Sequence, residues 1–182
     1  MKNRVFLLLA FLPMFALAQS KIEPELKVSY ELGVDDYKTQ SFGAELILGY
    51  RASDQFRIGI GTGIYWCKHL YENASIVGSH YYNEYRETAS YIPMFLDVKY
   101  NFNTGNISPY LRVDVGYSFF NSASDYADNN KLGFMTNPAF GVDFNVGKGC
   151  LFVEVGYKYQ DRKLFEEKEG YSQTTFSVGY NF

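Results

Sequence analysis

The chain has 182 residues, a formal net charge of -3 and 19% aromatic residues, among them 17 Tyr and 16 Phe. That charge argues against nucleic acid as a partner, and no stretch has the roughly 20 consecutive apolar residues that a membrane helix needs. Many aromatics with a mean hydropathy of only -0.22 fit strands that are apolar on one face and polar on the other.

The amino terminus reads as an export signal. Met1-Lys2-Asn3-Arg4 is a basic start, Val5 to Leu17 is apolar apart from Pro13, and Ala16-Leu17-Ala18 is a small-x-small cleavage site before Gln19. Residues 1–18 are expected to be a signal peptide, and residues 19–182 to form one domain. No Cys follows the cleavage site, so a lipoprotein is not expected.

Eight segments then alternate with a period of two. The first runs from Leu26 to Val34, with Lys27, Ser29, Glu31 and Gly33 on its polar face. Phe42 to Arg51 and Phe56 to Cys67 follow, the latter with Arg57, Gly59, Gly61 and Gly63 opposite its isoleucines. The fourth ends near Asn101, and Pro93 within it predicts a bulge, because proline cannot donate to a ladder. Pro109 to Phe120, about Asn137 to Val146, and Cys150 to Gln160 are the next three. The last, Ser172 to Phe182, alternates Phe176, Val178, Tyr180 and Phe182 with Ser177, Gly179 and Asn181.

The connections alternate too. Residues 52–55, 102–108 and 147–149 are short, whereas residues 68–90 and 121–136 are long. Residues 161–171 are intermediate, and residues 35–41 fall on the long-loop side. No helical period separates the strands, which argues against a parallel α/β sheet. The expectation is an all-β, eight-stranded antiparallel up-and-down transmembrane β-barrel with both termini periplasmic.

A soluble barrel of lipocalin type, apolar inside, alternates in the same way. Three features favour the opposite orientation. The polar face carries ten glycines, expected to make room in a narrow interior for long charged neighbours. Its charges balance: Lys27, Arg51, Arg57, Lys99, Arg112 and Lys158 against Glu31, Glu45, Asp97, Asp114, Asp143 and Glu154, as buried charges must. The apolar face ends in aromatics, as membrane barrels do. Tyr50, Phe56, Tyr100, Phe144, Tyr180 and Phe182 would form a periplasmic ring; Phe42, Trp66, Tyr117, Phe119, Phe140, Tyr157 and Tyr159 would form an outer one.

Taken together, the leader, the eight strands, the loop alternation and the terminal Phe182 resemble the small outer-membrane barrels of OmpX/OmpA-transmembrane type. The Ala18-Gln19 junction and the Tyr/Gly-rich strands, ending FSVGYNF, are similar to the porin-like "outer membrane protein beta-barrel" family common in Bacteroidetes. The resemblance implies an outer-membrane location, contact with the bilayer and lipopolysaccharide, and insertion by the barrel assembly machinery. It implies a monomer and no cofactor. The peptidoglycan-binding domain of full-length OmpA-like proteins is not expected after the last strand.

Cys67 ends the third strand and Cys150 begins the seventh, both running outward, so the two thiols are expected to lie at opposite ends and stay free. Candidate chemistry is sparse. Ser79, His80, His69, Glu72 and Glu84 of the second long loop could supply an acyl-transfer set, as in lipid-modifying barrels. However, neighbouring Ser79 and His80 would point apart on an extended strand. Asp125, Asp128, Asn129 and Asn130 do not follow an EF-hand pattern. Glu166, Glu167 and Glu169 read as a solvated acidic run. No catalytic, cofactor or metal residue is assigned. The long second connection reads either as an ordinary extracellular loop or as an extension of the third and fourth strands into a hairpin rich in tyrosine (Tyr81, Tyr82, Tyr85 and Tyr91), whose edge could recruit a protein partner. The expected role is non-enzymatic: envelope integrity, surface adhesion or accessory contact with an envelope machine. The alternatives are a lipid-modifying enzyme or a soluble lipocalin-like carrier.

Overall fold

A computed structural model describes residues 21–34, 38–70, 86–120, 130–147, 149–164 and 167–182. The expected signal peptide lies outside the described residues. Eight antiparallel strands close into one barrel in sequence order: β1 (Ile22–Gly33), β2 (Lys38–Arg51), β3 (Phe56–Leu70), β4 (Arg86–Asn101), β5 (Ile107–Phe120), β6 (Asn130–Val146), β7 (Gly149–Leu164) and β8 (Glu167–Asn181). β8 returns to β1, pairing Val178 with Val28, so closure removes the sheet edges along the wall. Among the described residues there is no helix.

The apolar face points outward. Ile60, Met94 and Leu96 are 61%, 58% and 56% exposed, while their strand neighbours Arg57, Phe95 and Asp97 are buried. That is the reverse of a soluble carrier's arrangement. Aliphatic and aromatic side chains exposed around the whole wall are stable only against hydrocarbon.

The aromatic rings fall largely as expected. Phe42, Trp66, Tyr117, Phe119 and Tyr157 are exposed at the long-loop end, and Tyr50, Phe56, Tyr100 and Phe144 at the other. Phe140 is a correction: its cross-strand neighbours are Leu111 and Val155, in the aliphatic band.

The strands outrun the apolar pattern at the long-loop end, because backbone pairing continues past it. β3 and β4 remain paired as far as Leu70 and Arg86, so the second hairpin does extend. Tyr81, Tyr82 and Tyr85 lie outside the described residues. β7 and β8 pair as far as Leu164 and Glu167, so Glu167 and Glu169 belong to β8 rather than to a loop, and Glu166 lies outside the described residues.

Pro93 makes no bulge. The pairs Thr62–Met94 and Tyr65–Tyr91 on its two sides share one register, and Thr62 Oγ1 donates to the Pro93 carbonyl at 2.9 Å. The hydroxyl satisfies the acceptor at the interruption, so the strand need not shift. The register shift occurs instead in β6 opposite β7, between Leu132 and Met135. At the tight connection after β6, Gly147 takes a φ of 65°, the left-handed conformation that two-residue hairpin turns require.

Candidate functional site

The alternation that faces apolar residues outward drives the charged ones into the lumen. Among the described residues, twelve Lys, Arg, Asp and Glu side chains are buried there: Lys27, Arg57, Lys99, Arg112 and Lys158 against Glu25, Glu31, Glu45, Asp97, Asp114, Asp143 and Glu154. The balance is five to seven rather than six to six. β1 starts at Ile22, which brings Glu25 inside. Arg51 is exposed at the rim, where it pairs with Glu23.

The centre of the lumen is one ionic lattice. Arg112 on β5 donates to both carboxylate oxygens of Glu25 on β1, at 2.7 and 2.8 Å. Its other nitrogens meet Glu154 at 3.0 Å and Asp97 at 3.1 Å. Arg57 bridges the same group through Glu25 at 2.5 Å and Asp97 at 3.0 Å. Just beyond, Lys27 on β1 reaches Asp114 on β5 at 3.1 Å, along with Glu45 at 2.7 Å. In an eight-stranded barrel β1 and β5 are opposite walls, so these pairs cross the full diameter, one in each sense of charge.

Tyrosine hydroxyls serve the carboxylates that the cations do not saturate. Tyr65 donates to Glu45 at 2.6 Å, Tyr91 to Glu31 at 2.8 Å and Tyr110 to Glu154 at 2.8 Å. Tyr65 and Tyr91 stack with centroids 4.9 Å apart, and Lys158 lies 4.5 Å from the Tyr65 centroid while bonding Glu31 at 2.8 Å. Tyr91 is thus a buried luminal residue, not part of an exposed tyrosine-rich hairpin.

Four of the luminal glycines seat rings rather than charges. A Cβ at Gly43, Gly61, Gly141 or Gly179 would run into the ring of Tyr65, Phe95, Tyr110 or Phe152 respectively. The expected room for a charge is found at Gly49, which faces Arg57 at 2.7 Å, and at Gly63, which faces Glu45. The result is an interior filled by side chains, as eight strands dictate.

Comparison with known proteins gives the same architecture. A family model for the outer membrane protein beta-barrel domain matches residues 5–182. The chain belongs to this family. Among solved structures, a major outer membrane protein from Thermus thermophilus aligns with a TM-score of 0.50 at 12% identity, covering 89% of this chain and 98% of that one. The N-terminal β-barrel domain of Pseudomonas aeruginosa OprF aligns at 0.47 and 17% identity, covering 90% and 98%. The outer membrane enzyme PagL aligns at 0.48 and 13% identity, covering 87% and 98%. No curated protein matches in sequence. The chain is therefore an outer membrane barrel of OmpA/OmpX type, and its exposed wall contacts the bilayer.

Within that barrel the remaining candidates scatter. Cys67 and Cys150 form no disulfide; Cys67 is buried inside β3 beside Ser41, at 3.0 Å, and Cys150 lies near the start of β7 at the opposite end. His69 pairs in register with Thr39 of β2 and Glu87 of β4. Ser79, His80, Glu72 and Glu84 lie outside the described residues, as do Asp125, Asp128 and Asn129; Asn130 begins β6. No group of metal-ligating side chains occurs among the described residues.

Glu25 and the four luminal rings are the residues that sequence reasoning undervalued. Glu25 carries a signal that could have found it: it shares parity with Lys27, two residues on.

Proposed function

We propose that this chain is a monomeric, non-enzymatic outer membrane barrel whose lumen is closed by its own side chains. It would serve envelope integrity, surface adhesion or accessory contact with an envelope machine. The observation that carries this reading is the pair of ionic crossings between opposite walls, Arg112 with Glu25 and Lys27 with Asp114. A solute would have to break buried charge pairs to pass, and breaking one such pair costs about 3–5 kcal/mol.

The short connections share one end of the barrel with the start of β1 and the end of β8. In this family's architecture that end is periplasmic, which leaves the extended hairpins to face outward. There the β3–β4 hairpin is the surface proposed for a protein partner.

The test is reconstitution of the folded chain in planar lipid bilayers. No discrete conductance steps are expected. Regular open-channel steps would replace this reading with a pore. In parallel, cells overexpressing the protein should show an unaltered lipid A acyl-chain profile; loss or gain of a chain would make it an enzyme.

A further inference from the structure

The luminal charges do not balance where they are most buried. Lys158 with Glu31 and Lys99 with Asp143 are one-to-one pairs. The remaining five carboxylates, Glu25, Glu45, Asp97, Asp114 and Glu154, share three cations, Lys27, Arg57 and Arg112. With all eight groups ionised, the lattice would hold two uncompensated negative charges away from water. Burial penalises such charge heavily, and a carboxylate relieves it by taking up a proton.

The five carboxylates are served unequally. Glu25 and Asp97 each meet both Arg57 and Arg112. Glu154 meets Arg112, Lys27 and the Tyr110 hydroxyl. Glu45 has Lys27 on one oxygen and the Tyr65 hydroxyl on the other. Asp114 is served on one side only. Its Oδ2 accepts from Lys27 at 3.1 Å and from the Asn137 amide at 3.4 Å. Its Oδ1 is buried and has no hydrogen-bond partner among the described residues.

Asp114 also stands opposite a like charge. It pairs in register with Asp97 across β4 and β5, and both side chains are buried in the lumen. Side chains so placed have Cβ atoms about 4.5–5.5 Å apart. Two carboxylates sharing one site resist ionising together.

The rest of the wall bears on the same group. β1 contributes Lys27, β2 contributes Glu45 on that lysine, and β7 contributes Glu154 on it as well. Arg112 of β5 and Arg57 of β3 are both engaged by Asp97. β6 offers only the neutral Asn137, whose Oδ1 accepts from Thr175 of β8 at 3.3 Å.

We propose that Asp114 is a proton-binding site, its Oδ1 carrying a proton at neutral pH in the folded barrel. Oδ2 is already occupied as an acceptor, which leaves Oδ1 for the proton. The proton comes from water as the chain folds. It removes the repulsion with Asp97 and halves the excess charge; the Tyr65 and Tyr110 hydroxyls serve the remainder at Glu45 and Glu154.

The sign of the pH dependence follows. Free aspartate ionises near pH 3.9. Above that pH the unfolded chain has lost a proton that the barrel keeps, so this group's contribution to stability falls as the pH rises, until folded Asp114 ionises too. The well-paired carboxylates act in the opposite sense, so the native profile alone mixes the two. Asp114→Asn is neutral in both states and isolates the site.

The test unfolds the native and D114N chains by urea in lipid vesicles at steps from pH 5 to pH 7. The native unfolding constant, divided by that of D114N, should rise about tenfold per pH unit. A ratio that stays constant would overturn the proposal. Heat-modifiable gel mobility checks that each variant folds.

A second readout needs no variant. The infrared carbonyl band of a neutral carboxylic acid should be present in the folded native barrel at pH 7, and its absence would overturn the proposal whatever D114N does. The role of the opposing charge is read from Asp97→Asn, compared with D97N/D114N. Asp114 should then release its proton earlier, so the tenfold dependence should end at least one pH unit lower. An unchanged range would show that Asp97 does not hold the proton in place.

Discussion

Arg112 and Glu25 face each other across the lumen from opposite walls, joined by two hydrogen bonds of 2.7 and 2.8 Å, with 1% and 0% of their surface exposed. Neither residue has a cross-strand neighbour in common with the other, since Arg112 pairs with Lys99 and Ala139, and Glu25 with Ile47 and Asn181. The contact exists only because the sheet closes.

Truncating one side of it should be costly. Arg112→Met leaves Glu25, Asp97 and Glu154 short of their shared cation, and is expected to destabilise the barrel by about 3–5 kcal/mol. Urea unfolding in lipid vesicles, followed by the cold-versus-boiled mobility shift, reads this directly. The double variant Arg112→Met/Glu25→Met should recover part of the loss, because replacing both partners removes an unpaired charge. A single variant as stable as the native chain would mean that the lattice is not closed around Arg112.

The glycine seats make a sharper prediction about shape. Gly43→Val should be destabilising by about 1–3 kcal/mol, since the added carbons meet the Tyr65 ring, which is held by its stack on Tyr91 and its bond to Glu45. Combining it with Tyr65→Ala vacates that space, so the double variant should lose less than the sum of the two singles. Additive losses in the same urea assay would show that the ring does not occupy the seat.

The outward face is tested by charge. Ile60→Arg, in the aliphatic band of the outer wall, should cost about 2–4 kcal/mol in a bilayer. The same change in a soluble barrel would place a charge in water at almost no cost. Folding yield into vesicles measures the difference, and an unaffected yield would argue that Ile60 does not meet lipid.

The cysteines give a chemical readout of topology. Both thiols should titrate in the unfolded chain without reductant, and gel mobility should not change on reduction. In the folded barrel Cys150, which is partly exposed, should react with a maleimide well before buried Cys67. A disulfide between them would require the two ends of the barrel to meet, against a Cα separation limit of about 7 Å.

The comparison of sequence with structure divides along the same physical line. Strand β3 illustrates what was legible: its isoleucines and glycines alternate strictly, and they lie outside and inside as that pattern requires. The bulge expected at Pro93 did not form; the Thr62 hydroxyl on β3 donates to the Pro93 carbonyl there, and no property of β4 by itself reveals that. The bulge in β6, between Leu132 and Met135, is marked in the sequence by Gly133, since a glycine inside a strand often sits at a bulge. Glu25 was left out because the apolar pattern of β1 becomes clear only after Pro24, whereas backbone pairing begins at Ile22.

By itself, then, the sequence determined eight strands, their membrane-facing sides and the charge of their polar faces. Those are properties of each strand alone, because successive side chains alternate whatever the neighbour is. Only the tertiary structure decided which charges pair and which rings fill the glycine seats. These depend on closure and register, which bring Glu25 to Arg112 and Lys27 to Asp114 across 87 residues of sequence.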